Sequence, residues 1–300
     1  MKKFQNELEY YLAQALGRFV LYLPLKWALL TGRMIGRLIY YIIPIRKNVT
    51  LENLKRAYPE KSNKEIHTIA RDTYINLGMT LIEFMRFPGM TPEFLTKQIK
   101  FVNADLMKQG RLVGKGVLCM SGHFGNWEIM GAAIRAKGYP IIGLVKEQRN
   151  KSVGNMVVEY RKLVGVETLP LGMAVRGVIK SLKKNKLVAI VADQDAHREG
   201  VFVNFLGRPS STAPGPAIFA LKTGAPLLFG VCVRNKNGHH TVYLQEIKYD
   251  DLQGGVTEEN IKILTQRHAS VLEECIKKWP DHWFWMHKRW KTKPEDLVLQ

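Results

Sequence analysis

From about residue 100 onward, short apolar runs alternate with stretches of helical period. The runs at 116–120, 140–145, 167–169, 187–192, 226–234 and 241–247 predict strands, and 126–136, 152–163, 175–184 and 214–222 predict helices between them. That alternation predicts an α/β core with a mostly parallel central sheet flanked by helices. Upstream, 52–58 and 62–87 have helical texture, and Ser62-Asn63-Lys64-Glu65 has the spacing of a capping box opening the second. Pro88-Gly89 punctuates it, and Thr91-Pro92 begins another helical turn. A long amphipathic helix is expected over 257–279, and 283–293 closes the chain.

The stretch 13–45 is rich in Leu, Ile, Tyr and Trp but is interrupted by Arg18, Lys26, Arg33 and Arg37. No uncharged run reaches the roughly 18 residues of a membrane span, and no small-residue cleavage site follows a short apolar core. On a continuous helix the four cations would fall within about 100° of one another, leaving a wide apolar face. That pattern suits a helix lying in the membrane interface. Pro24 makes the continuity doubtful, and packing on the protein body or a true span are the alternatives. The expected layout is a membrane-associated helical region over 1–98 packed as one unit with an α/β core over 99–300.

Charge narrows the partners. Forty-five Lys and Arg against 26 Asp and Glu leave +19. Acidic partners follow: nucleic acid, an anionic membrane, phosphorylated substrates or an acidic carrier protein. The three cysteines, Cys119, Cys232 and Cys275, lie far apart in apolar stretches with no CxxC, which reads as reduced core thiols facing a reducing compartment.

Candidate chemistry gathers at strand ends. Residues 117–120 break at Ser121-Gly122 and deliver His123, with Glu128 in the first turn of the following helix. In open α/β sheets that edge is where chemistry is usually placed. A histidine oriented by a carboxylate is a general base for a hydroxyl proton. The spacing alone is weak, and a structural histidine in a turn is the competing reading. The run 187–192 ends in Asp193-Gln194-Asp195, so Asp193 meets the same edge, either orienting the base, contacting substrate or capping a turn. Lys146, Arg149, Lys151, Arg161 and Lys162 form a cationic group suited to phosphate or carboxylate. Residues 207–216 are turn-rich and open a helix, so backbone N–H groups there, or near Gly122, are expected as oxyanion donors. No second His or Cys stands at zinc-ligand spacing, and neither a P-loop nor GxSxG occurs, so no metal or cofactor is expected. The aromatic and basic segment 279–290 suits packing onto the body, a headgroup-level belt or stacking on single-stranded nucleic acid.

These residues together resemble a known family. Arg46, Asn53-Leu54, Tyr58-Pro59-Glu60, Ser121-Gly-His-Phe-Gly-Asn-Trp-Glu128, Arg161 with Gly165, Ala192-Asp-Gln-Asp195, Val201-Phe-Val-Asn-Phe-Leu-Gly207 and Trp285-Met-His-Lys-Arg-Trp290 are similar to the lauroyl/myristoyl acyltransferases of bacterial lipid A biosynthesis, within the wider HxxxxD/E glycerolipid acyltransferase group. The resemblance implies an acyltransferase-like core on the cytoplasmic face of the inner membrane. It implies transfer of a fatty acyl chain from acyl-carrier protein to a hydroxyl of a phosphorylated glycolipid, a lipid A precursor. By motif match His123 is the base, Glu128 its orienting partner, and Arg161 and Asp193 further functional positions; Lys146 and Arg149 are expected substrate contacts from their place after the strand 140–145. Gln194 departs from some members. Another lipid acceptor, or a basic non-enzymatic protein binding nucleic acid or membrane, are the competing readings; no nucleic-acid motif supports the latter. Acyl length, acyl-carrier protein versus coenzyme A as donor, and oligomeric state stay open.

Overall fold

The computed structural model describes residues 2–297. Among the described residues nine strands form: β1 (Ile99–Val102), β2 (Val117–Ser121), β3 (Ile141–Val145), β4 (Glu167–Pro170), β5 (Leu187–Val191), β6 (Val201–Phe205), β7 (Arg208–Thr212), β8 (Leu227–Arg234) and β9 (His240–Glu246). Seven make one sheet in the order β1-β9-β8-β2-β5-β3-β4. Every neighbouring pair in it is parallel except β8–β9. The expected parallel core is therefore present, with β1 as a strand the apolar pattern did not flag.

Continuous apolar runs are what a parallel strand covered on both faces requires. Leu118 and Met120 of β2, with Val188 and Ile190 of β5, enter one core; Val117 and Leu187 enter the other. The first is covered by α9 (Ala174–Lys183), α10 (Gly215–Thr223) and α11 (Glu258–Lys278) through Leu182, Phe219 and Leu272. The second is covered by α5 (Pro92–Gln98), α6 (Asp105–Leu112) and α7 (Trp127–Ala136) through Leu95, Met107 and Ile129. α8 (Lys151–Leu163) lies between β3 and β4 in the chain.

Residues 201–212 correct one expectation. β6 and β7 pair antiparallel as a separate hairpin, turning at Leu206 and Gly207, both with positive φ (51° and 74°). That is the backbone a two-residue hairpin turn needs. The amides of β7 belong to a strand, and the α10 start carries Pro214 and Pro216, which have no N–H. The first half of the turn-rich stretch is thus strand, and only its end, from Ala213, leads into a helix start.

The N-terminal region is helical: α1 (Lys2–Tyr22), α2 (Leu25–Tyr41), α3 (Lys47–Ala57) and α4 (Asn63–Met85). The capping box forms in both directions: the Glu65 amide donates to Ser62 Oγ (3.3 Å) and the Ser62 amide to Glu65 Oε2 (2.9 Å). Pro24 ends the continuity that a single cationic stripe needed: it sits between α1 and α2 with φ −52° and ψ 146°, outside the helical region. α2 packs on α4 backbone to backbone. A Cβ at Gly36 would lie 2.4 Å from the Tyr74 carbonyl oxygen, so only glycine permits the approach. On α1 and α2, Phe19, Trp27, Met34, Leu38, Tyr41 and the following Ile42 stay exposed, as do Arg33 and Arg37. Among the described residues, no helix is long and apolar enough to cross a membrane.

Candidate active site

β2 and β5 are adjacent, parallel and in register, with Ser121 opposite Val191. Whatever follows each strand by two residues must therefore meet at one edge, and His123 and Asp193 do. The His123 ring Nδ1–H donates to Asp193 Oδ1 at 2.7 Å, and the His123 amide donates to Oδ2 at 2.9 Å. Trp283 Nε1 donates to the same Oδ2 at 2.8 Å. The Asp193 side chain is 3% exposed and the His123 side chain 27%. So the carboxylate is sealed while the imidazole keeps an open side at Nε2.

Charge follows from this geometry. Burial alone would raise the Asp193 pKa, but the facing imidazole and the donated hydrogen bonds hold it at about 2. Burial alone would lower the His123 pKa; the Asp193 charge and hydrogen bond outweigh it, with a further push from Glu128, and raise it above its ordinary value. Asp193 is thus a fixed anion that selects the tautomer protonated at Nδ1 and stabilises the imidazolium that forms when Nε2 takes a proton.

Glu128 does not occupy that position. Its carboxylate receives both forks of Arg161, from Nε at 2.9 Å and Nη2 at 2.5 Å, and Trp127 Nε1 at 3.1 Å. The expectation that Glu128 directly orients the imidazole gives way to Asp193. The reason is the sheet: register brings two strand ends together, whereas the helical turn carrying Glu128 points its carboxylate across to the last turn of α8. Glu128 and Arg161 still lie near the imidazole: the Glu128 charge raises the His123 pKa and the Arg161 charge lowers it. Arg161 Nη1 has no protein partner among the described residues. Lys146 and Arg149 follow β3 at the same sheet edge, exposed and without a recorded side-chain partner among the described residues.

The turn itself is strapped. The amides of His123, Phe124, Gly125 and Asn126 donate to Asp193 Oδ2, Gly122 O, His282 O and Cys232 O. None is free to bind an oxyanion. Gly125 has φ +58°, and a Cβ there would sit 1.8 Å from the Cys232 carbonyl oxygen. Glycine is mandatory in that turn.

Several positioning residues were not foreseen. Asn126 caps α7 (Ile129 amide to Oδ1, 2.9 Å) and donates from Nδ2 to Glu83 Oε2 at 2.5 Å. Glu83 is buried against Arg234, with Nη1 and Nη2 at 2.5 and 2.6 Å. Burial would raise the Glu83 pKa, but Arg234 and then His240 hold it at about 2. Their only sequence signal was a charge inside an apolar helix face and another closing an apolar strand. Trp283 and Phe284 come from the closing segment, whose Phe284 amide donates to the His123 carbonyl at 3.0 Å. That segment packs on the body, the first of the three roles its composition suits, with Trp283, Trp285 and Trp290 buried. Asn53 secures it, donating to the Trp285 and His287 carbonyls at 2.8 and 2.7 Å. Asp195 is buried and accepts from Thr292 Oγ1 at 2.9 Å, while Gln194 between the two aspartates is exposed. All three cysteines are free thiols. Among the described residues, no group of three or more His, Cys, Asp or Glu is placed to hold a metal ion.

An apolar cavity of about 50 Å³ lies beside this edge between α7 and the sheet, lined by Cys119, Trp127, Met130, Ile134, Ala189 and Leu244 among others. Comparison with known proteins places the chain among lipid acyltransferases. The family model described as bacterial lipid A biosynthesis acyltransferase matches residues 1–292. The Escherichia coli lipid A biosynthesis palmitoleoyltransferase is 24% identical over 93% of this chain and 90% of its own length. The lauroyltransferase of the same organism is 24% identical over 93% and 90%. A phosphatidylinositol mannoside acyltransferase of Mycolicibacterium smegmatis is 27% identical over 69% of this chain and 67% of its own length.

Proposed function

We propose, from the premise that this chain belongs to the bacterial lipid A biosynthesis acyltransferase family, that it moves a fatty acyl chain from acyl-carrier protein to a hydroxyl of a phosphorylated glycolipid, a lipid A precursor. The enzyme is an O-acyltransferase of lipid A or phosphatidylinositol mannoside type. The observation that carries the mechanism is the His123–Asp193 pair: a half-open imidazole whose Nδ1–H is held 2.7 Å from a sealed carboxylate.

In this mechanism Nε2 of His123 removes the acceptor hydroxyl's proton as the oxygen attacks the thioester carbonyl. The tetrahedral intermediate then collapses, the C–S bond breaks, and the imidazolium returns the proton to the departing thiolate. Ester and free thiol are the products, so protons and electrons balance. General-base help of this kind is worth about 10²–10⁴-fold. With the amides of 123–126 committed, a side chain is the stronger candidate for the charge on the developing oxyanion or on the acceptor phosphate. Arg161 is the candidate, with Glu128 fixing its plane through two hydrogen bonds. Lys146 and Arg149 supply further cations for the acceptor. The cavity under α7 takes the thioester end of the acyl chain.

The exposed apolar face of α1 and α2, with Arg33 and Arg37 beside it, lies in the cytoplasmic leaflet of the inner membrane in this reading. A phosphatidylinositol mannoside-like acceptor is the second reading, favoured by the mycobacterial relative. Mass spectrometry of products from acyl-carrier thioesters or acyl-coenzyme A, each offered with a lipid A precursor and with a mannosylated phosphoinositide, tests donor and acceptor together. Ester formation on the lipid A precursor that disappears in His123→Ala is expected. Full activity of folded His123→Ala would overturn the mechanism.

A further inference from the structure

The chain carries a second cationic site far from His123. An open cavity of about 410 Å³ is lined by Tyr40, Tyr41, Lys47, Lys64, His67 and Arg71, among others. It sits where the end of α2 meets the starts of α3 and α4. His67 and Glu83 are 16 positions apart on α4, about 24 Å at ~1.5 Å per residue. Glu83 backs the catalytic turn, so the cavity is separate from the active site.

Its chemistry is built rather than scattered. Lys47 Nζ lies 4.2 Å over the Tyr40 ring and 5.9 Å from that of Tyr41. Such a seat holds an ammonium in place while leaving its N–H donors free. The Tyr40 hydroxyl is fixed 2.8 Å from His67 Nδ1. Arg71 is braced by Asp72 at 2.8 Å. Three cations line the cavity and no carboxylate does. At its rim the apolar face of α2 continues into exposed Tyr41, Ile42 and Ile43.

We propose that this cavity binds the phosphate headgroup of an anionic phospholipid and so anchors the end of α2 in an anionic leaflet. The chemistry is a phosphate monoanion or diester held by Lys47, Lys64 and Arg71 over a tyrosine floor. The adjoining aliphatic rim, rather than the cations alone, selects a lipid over a soluble phosphate, because acyl chains have somewhere to lie. The inference rests on the reading that the outer face of α1 and α2 meets lipid.

Vesicle co-sedimentation of the full chain tests it. The vesicles are pure phosphatidylcholine, and phosphatidylcholine with 30% phosphatidylglycerol. Lys47→Gln/Lys64→Gln is compared with Lys183→Gln/Lys184→Gln, an equal charge loss on exposed residues at the end of α9. The cavity pair should weaken binding to the anionic vesicles about 30-fold, as two surface cations can. It should leave binding to phosphatidylcholine and transfer to detergent-dispersed acceptor unchanged, and the control pair should lose far less. Equal losses in both pairs, or none in the cavity pair, would overturn the site and leave only diffuse charge. Inorganic phosphate that raises the melting temperature of the wild type but not of the cavity pair, with no phosphatidylglycerol preference, would assign the cavity to a soluble phosphate and overturn the lipid. No binding of the wild type to either vesicle would overturn the membrane reading itself.

Discussion

The edge of the sheet and the N-terminal helix pair invert the usual partition in opposite senses. At the edge, charge is buried: Asp193 and Glu83 are nearly inaccessible, each matched by fixed donors. On α1 and α2, large apolar side chains are exposed, with Trp27 at 57% and Met34 at 61%. Buried charge is tolerated only when paired, and a wide exposed apolar face is uncommon on a protein that meets only water. In the proposed reading each inversion has a job: one holds a proton acceptor ready, and the other supplies a surface that meets lipid.

The comparison breaks most sharply at Asp193. Asp193→Asn should lower transfer by about 10²–10⁴-fold with the fold retained. The sign of the pH effect is set by His123, whose pKa is raised and which works as a neutral base. Activity therefore rises with pH through that raised pKa, and removing the Asp193 charge should move this acid limb to lower pH. An unmoved limb in the residual activity would show that Asp193 is not the electrostatic partner. The same carboxyl, held at about 2, contributes stability that is present above its unfolded pKa and lost as pH falls toward that value.

On the other side, Met34→Asn with Leu38→Asn should weaken vesicle binding about 100-fold, the effect of removing two side chains worth ~1.5 kcal/mol each when buried. Stability should change by no more than about 1 kcal/mol, roughly 0.5 kcal/mol for each of two exposed helix positions. A large drop in stability with vesicle binding intact would mean that the face packs on protein instead.

The smallest expected effect separates the two carboxylates near His123. Glu128→Gln and Arg161→Lys should each lower transfer by up to about 10²-fold, as misplaced positioning groups do. The double variant should be little worse than either single, since both remove one bidentate contact. Glu128→Gln should shift the acid limb far less than Asp193→Asn. A shift as large as that of Asp193→Asn would return the orienting role to Glu128.

Much of the core was legible in the chain because strands covered on both faces must be apolar throughout, and 117–120, 187–192 and 227–233 are. β1 was missed because Ile99-Lys-Phe-Val102 is short and carries a lysine. Strand β7 hides within the turn-rich stretch 207–216 because Pro209, Ser210 and Ser211 are turn formers, yet Ser210 and Ser211 are buried by tertiary packing. His123 was legible as a strand-end base, and Asp193 as a carboxylate at the same edge.

The alternation of elements, the break at Ser121-Gly122, the capping box at Ser62 and the basic, greasy N-terminus follow from the chain alone. These depend on local period and local hydrogen bonding. Which carboxylate faces the imidazole follows from the packed fold. His123 and Glu128 are five residues apart and His123 and Asp193 seventy, yet it is the distant one that reaches Nδ1. Strand order and register put it there, and neither is encoded within any single stretch of chain.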